Sequence, residues 1–365
     1  MEKFSKIIVL TIIGLSAAGA LYVCCSHTLS HRSRTAEIDI PSKPSLPEVR
    51  RARLVFAGDL MQHTPQLTAA RTPEGDFDFN ASFDWVRERF RAADAAIVNL
   101  ETTLSESGPY TGYPCFRSPA ALAEALDSLG VDITVLANNH CCDGGSKGIR
   151  TTIRELDRHG IEHTGVFLDS SDFRARHPLR FEAGGIRFAL LNYTYGTNGL
   201  PVPSGLSVNP IDTVRIAADL AAVEHDGVDC VIACMHWGNE YERRENASQR
   251  TLAAFLRRHG ADVVVGGHPH VVQPWQADST HVVLYSLGNL VSNQRRRYTD
   301  GGLVARIEAL RYPDGRRSYR LEPLPVWVAL PRYRILPPEA ADTAALPDAY
   351  ALFRRDLREL TGKDL

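Results

Sequence analysis

Two amides, an imidazole and a carboxylate follow directly on an apolar run in Leu136-Ala137-Asn138-Asn139-His140-Cys141-Cys142-Asp143-Gly144. Asn139 can offer an amide oxygen to a metal, His140 can ligate or move a proton, and Asp143 can orient the ring. The same loop also reads as a capped helix start, because Asn, Asp and Gly favour turns. Repetition separates the two readings. Asp59, Glu101, His236, and His268 with His270 also fall just after short apolar runs. Turn chemistry alone does not select only Asp, Glu, Asn and His at five such places. Carboxylate, amide oxygen and imidazole without thiolate suit Zn, Mn or Fe. A pair of such ions roughly 3.5–4 Å apart can clamp the attacking and leaving oxygens of a displacement. In Gly266-Gly267-His268-Pro269-His270, two imidazoles two residues apart on an extended segment would point to one side.

These groups need a sheet behind them. Apolar runs at 54–57, 95–98, 133–136, 231–235, 263–265 and 282–285 read as buried strands. Between them lie helical stripes such as Phe83, Val86, Phe90 and Leu122, Leu126, Leu129. The alternation predicts an α/β fold, whose ligands bind outside the carboxyl ends of the strands. Residues 181–188 read as a hairpin with a Gly184-Gly185 turn. Residues 196–210 read as a loop over the site, 302–310 and 319–330 as strands, and 340–360 as a closing helix.

The chain has 365 residues, 44% hydrophobic and 23% charged, an ordinary globular composition. With 41 basic and 43 acidic residues the net charge is −2, and no nucleic-acid motif is present. Lys3 and Lys6 precede an uncharged run, Ile7 to Val23, roughly long enough to span a bilayer. This predicts an N-terminal transmembrane anchor in residues 1–25, with cleavage or lipidation at Cys24 as the alternatives. A Pro-containing linker follows over 26–52. The soluble part would then face the extracytoplasmic side of the cell membrane. The seven cysteines show neither a disulfide framework nor zinc spacing.

Six segments taken together resemble the CapA family. They are Gly58-Asp59-Leu60-Met61, Asn99-Leu100-Glu101-Thr102, Ala137-Asn138-Asn139-His140 with Asp143, His236-Trp237-Gly238 with Glu240-Tyr241, Gly267-His268-Pro269-His270, and Ser286-Leu287-Gly288-Asn289. CapA proteins serve capsule or poly-γ-glutamate synthesis and belong to the calcineurin-like metallophosphoesterase superfamily. The resemblance implies a four-layer α/β sandwich with two mixed sheets over 53–310, with C-terminal strands and a helix packed on it over 311–365. It implies one or two divalent metal ions. Glu101 stands at the bridging position, with Asn139, His236 and His268 at one metal and Asp59 and His270 at the other. His140 stands where the general acid is placed, with Asp143 to hold it, and Asn289 is a further candidate. This chain departs from the superfamily pattern in two ways. Met61 replaces a His two residues after Asp59, and the bridging group is Glu rather than Asp. His63 is then a candidate ligand or an ordinary loop residue.

The expected function is metal-dependent hydrolysis of a phosphoester or an anionic polymer by metal-activated water, within surface-polymer production. The alternative is a non-catalytic metal-binding subunit of a membrane-bound synthesis complex, alongside other capsule-synthesis subunits.

Overall fold

The computed structural model describes residues 48–224, 226–343 and 347–363. The anchor expected in residues 1–25 lies outside them. Among the described residues no helix is long and apolar enough to cross a membrane.

Both large sheets are mixed. The first runs Arg334–Leu336, Arg317–Ala329, Gly301–Arg311, Arg50–Leu60, Ala95–Leu100, Ile133–Val135, Glu162–Thr164, with Asn289–Val291 also beside Arg50–Leu60. The second runs Trp275–Ala277, Val282–Leu284, Val263–Gly267, Cys230–His236, Ile186–Thr194, Leu179–Ala183. In each, the strands that end at candidate ligands pair in parallel. Their carboxyl ends therefore share one edge.

Parallel strands covered on both faces read as continuous apolar runs, and the burial pattern shows why. Leu54, Phe56 and Ile97 point into a core shared with Phe188, Leu190, Ile232 and Cys234 of the other sheet. The alternate residues Val55, Ala57 and Val98 face outward, under Phe83, Phe90, Leu126 and Ile153 of the helices. On the far side Leu191, Ala233 and Met235 pack beneath Ile216, Leu220 and Leu256. The layers thus run helices, sheet, sheet, helices.

The strand Arg50–Leu60 begins inside the stretch read as linker. Residues 311–365 contribute Arg317–Ala329 and Arg334–Leu336 to the first sheet by direct pairing. The helix Pro347–Thr361 sends Tyr350, Phe353 and Leu357 into the inter-sheet core. The hairpin at Gly184-Gly185 is present, with both glycines at positive φ (54° and 73°).

At the ligand-bearing edge the pairing of Arg50–Leu60 with its neighbours shifts register around Asp59. Such an irregularity re-aims a side chain. Gly58 makes it possible, because a Cβ there would strike the carbonyl oxygen of Gly288. Gly58→Ala is therefore expected to destabilise the protein by about 1–3 kcal/mol. A urea titration would show it as a lower midpoint at unchanged slope.

Candidate metal centre

Five strand ends converge on one buried cluster. Asp59 and Glu101 are fully buried, and His236, His268, His270 and Asn139 are each at most 4% exposed. Glu101, His236 and His268 form one group of potential ligand atoms mutually within 4.8 Å, and Asp59, Glu101 and His270 form another. Glu101 belongs to both. His236 Nε2 lies 2.8 Å from Asn139 Oδ1 and 3.6 Å from Glu101 Oε1. His270 Nδ1 lies 3.0 Å from Asp59 Oδ2, and its Nε2 lies 3.9 Å from Glu101 Oε1.

Whether these residues suit a cation is tested by what they leave unpaired. Glu101 Oε1 and His268 Nδ1 are buried polar atoms without a hydrogen-bond partner. Buried polar groups are normally satisfied. A carboxylate oxygen and an imidazole nitrogen left unpaired, on residues that group with other N and O donors, fit a divalent ion of the Zn, Mn or Fe type.

The electrostatics agree. Burial pushes Glu101 well above the usual carboxylate range, and neighbouring Asp59 and Glu240 push it further. Burial also works against ionised Asp59, but the His270 hydrogen bond and charge, with His236 and Asn99, outweigh it and hold Asp59 at about 2. Burial first, then neighbouring imidazoles, drives His236 well below its ordinary value and His268 down to about 3. Neutral imidazoles keep the lone pairs that ligation needs.

His268 and His270 do not sit on an extended segment, as the alternation of strand side chains suggested. Both adopt positive φ, 95° and 57°. The left-handed turns, not strand periodicity, bring their rings to 5.9 Å between centroids. Such conformations in non-glycine residues cost of order 1–3 kcal/mol and gather at functional sites.

His140 is paired with Asp143. Its Nδ1 lies 2.7 Å from Asp143 Oδ2, and its ring packs edge-on against Phe116 at 4.7 Å. Asp143 is itself fixed by accepting the Phe116 N–H at 2.6 Å. Asn289 does not donate its amide to the cluster. Its Nδ2 is spent on Ser292, Gln294 and Thr299, which turns Oδ1 toward His270 Nδ1 at 3.2 Å. His63 lies outside the ligand groups found among the described residues. It leads into the helix Thr64–Ala69, with Gln66 reaching back to its N–H at 2.9 Å, and its ring meets Phe116 at 4.9 Å.

The family model for the bacterial capsule synthesis protein PGA_cap matches residues 53–294. The chain belongs to that family. PGA biosynthesis protein CapA of Bacillus subtilis (strain 168) is 25% identical over 283 residues, covering 76% of this chain and 72% of the relative. Capsule biosynthesis protein CapA of Bacillus anthracis is 30% identical over 187 residues, covering 50% of this chain and 45% of that protein. Among solved structures, the calcineurin-like phosphoesterase YfkN from Bacillus subtilis aligns with a TM-score of 0.42 at 12% identity, over 76% of this chain and 91% of that chain.

Several residues around the site of this PGA_cap chain had no assigned role in the sequence reading. Asn99 donates to Asp59 Oδ1 at 2.7 Å and to Glu101 Oε2 at 3.3 Å, bridging the two carboxylates. Asn138 in turn donates to Asn99 Oδ1 at 3.2 Å and to Leu100 O at 2.8 Å. The signal for both was present, as amides at the same strand ends. Tyr195 is 48% exposed, with its ring 4.5 Å from that of His268. It opens the loop expected to overhang the site. Of the run Arg295-Arg296-Arg297, only Arg296 flanks this edge, stacked on Tyr241 at 4.5 Å. Arg297 is engaged with Asp356, 3.3 Å away.

Proposed function

We propose that this protein is a metal-dependent hydrolase acting on a phosphoester or an anionic polymer in the synthesis of a capsule or poly-γ-glutamate surface polymer. The single observation behind the chemistry is the orphaned Glu101 Oε1 at the junction of two donor groups. Family membership and the names of the relatives supply the biological setting.

Glu101 would be shared between two ions. Asn139, His236 and His268 would complete one set, and Asp59 and His270 would serve the other. Bound divalent ions supply Lewis acidity and a nucleophile at neutral pH. Asp143 fixes Nδ1 of His140 at 2.7 Å, which leaves Nε2 to deliver a proton to the leaving oxygen. Phe116 holds the ring upright from the side. Tyr195 and the Arg296–Tyr241 stack flank the site, where an aromatic face and a guanidinium would receive an anionic substrate. The chain would be held at the cell membrane by residues 1–25, with the catalytic part on the extracytoplasmic side and other capsule-synthesis subunits as its partners.

A second reading, a metal-binding subunit without turnover, is favoured by Met61. It is 1% exposed and supplies no oxygen or nitrogen side-chain donor beside Asp59. The deciding experiment strips the full-length protein, purified in detergent, with chelator and reloads it with Mn²⁺ or Zn²⁺. Metal per chain and hydrolysis of generic phosphomonoesters, phosphodiesters and γ-linked glutamate polymer are then measured. One to two metals per chain and metal-dependent turnover are expected. Fewer than one metal at saturation would sink the hydrolase.

A further inference from the structure

Glu240 lies on the loop after His236, and no other part of the mechanism uses it. It is exposed, yet one of its carboxylate oxygens lies within 4.8 Å of ligand atoms on both His268 and His270. Each of those two imidazoles also belongs to one of the two buried groups. Glu101 and Glu240 are thus carboxylates in groups that share His268 and His270, one fully buried and one exposed.

The placement of Glu240 is built rather than incidental. The Trp237 N–H donates to Gly267 O at 3.2 Å, and the Tyr241 N–H donates to Pro269 O at 2.8 Å. Gln273 Nε2 donates to Glu242 O at 2.8 Å. The backbone on both sides of Glu240 is therefore stitched to the segment that carries His268 and His270. Tyr241 accepts a positive φ of 67° within this arrangement. His268, which this group shares with Glu101 and His236, is buried and leaves Nδ1 without a hydrogen-bond partner.

We propose that Glu240 is a metal ligand, closing from the solvent side the set that Asp59, Glu101 and His270 begin. The inference rests on the metal-centre reading above and gives it an asymmetry. One ion would be held by buried Glu101, Asn139, His236 and His268. The other would be held by three carboxylates and one imidazole, with its outer ligand free to move. Oxygen-rich sets favour harder ions, so the outer site takes Mn²⁺ or Mg²⁺ in preference to its neighbour's Zn²⁺.

The test uses the full-length protein in detergent, with Mn²⁺ alone as probe. Calorimetry counts the sites, and electron paramagnetic resonance reports spin coupling between paired ions. The wild type is expected to bind two Mn²⁺ with a coupled signal. Glu240→Gln is expected to keep one site and weaken the other roughly 10–100-fold or more, with the coupled signal lost and Glu240→Asp partly restoring it. Glu242→Gln, the same charge change on the same loop, should alter neither. If Glu240→Gln binds two coupled ions with unchanged affinities, the inference is overturned while the metal-centre reading stands. A change in KM alone counts the same way, since it would place Glu240 on the substrate. If the wild type binds no Mn²⁺, both fail together.

Discussion

Glu101→Gln is expected to empty the centre. The substitution keeps shape and removes the shared anionic oxygen, so both donor groups lose their common member. Bound Mn²⁺ or Zn²⁺ should fall below one per chain, and turnover should drop to the metal-free level, on the order of 10³-fold or more, as for removal of a principal charge-stabilising group. Stability of the metal-free protein should move the other way. Folded Glu101 holds its proton more tightly than the unfolded chain does. The folded state therefore binds more protons above the ordinary carboxylate range, and metal-free wild type loses stability as pH rises through it. Gln does not titrate, so metal-free Glu101→Gln should melt above metal-free wild type at neutral pH. The same linkage makes wild-type metal affinity rise with pH, because a cation and a proton compete for Glu101. His236 and His268 add little to that slope, being neutral already. Thermal melts with and without chelator at several pH values check all of this. Equal melting temperatures in metal-free wild type and variant would contradict it.

His140→Ala should cost turnover without costing metal. General acid help is worth roughly 10²–10⁴-fold, and His140 is in neither donor group. The loss should be largest for esters with poor leaving groups and should shrink toward nothing for p-nitrophenolate, which departs without a proton. A uniform loss across leaving groups would point to binding rather than acid catalysis. Asp143 is a poorer probe, since its Oδ2 also accepts the Phe116 N–H at 2.6 Å and so anchors the loop.

The strand scaffold was legible because its signal is local. Runs such as Val231 to Met235 are apolar on both faces, and the two-sided burial of that strand accounts for the pattern. The polar groups that end such runs were legible for the same reason, since chain position alone puts Asp59, Glu101 and His236 at the carboxyl ends of their strands. What stayed hidden depends on backbone conformations with no periodicity. The φ of 95° at His268 and 57° at His270 cannot be read from Gly-Gly-His-Pro-His. The nearness of Glu240 to His268 and His270 stayed hidden because the Tyr241–Pro269 bond beside it joins two loops. The Arg297–Asp356 pair, 59 residues apart, is likewise a tertiary contact with no local signal.

The donors at this centre come from both sheets, with Asp59, Glu101 and Asn139 on one and His236, His268 and His270 on the other. A cation shared among them would also be a rivet through the sandwich. Its contribution to the folded state would follow free metal by mass action, about 4 kcal/mol at a thousandfold excess over the dissociation constant. Mechanical coupling would come with it. A shift of one sheet against the other moves the ligands apart, so the packing of Phe56 on one sheet and Phe188 on the other sets the span that the centre must bridge. The inter-sheet core is in this sense the gauge block of the site.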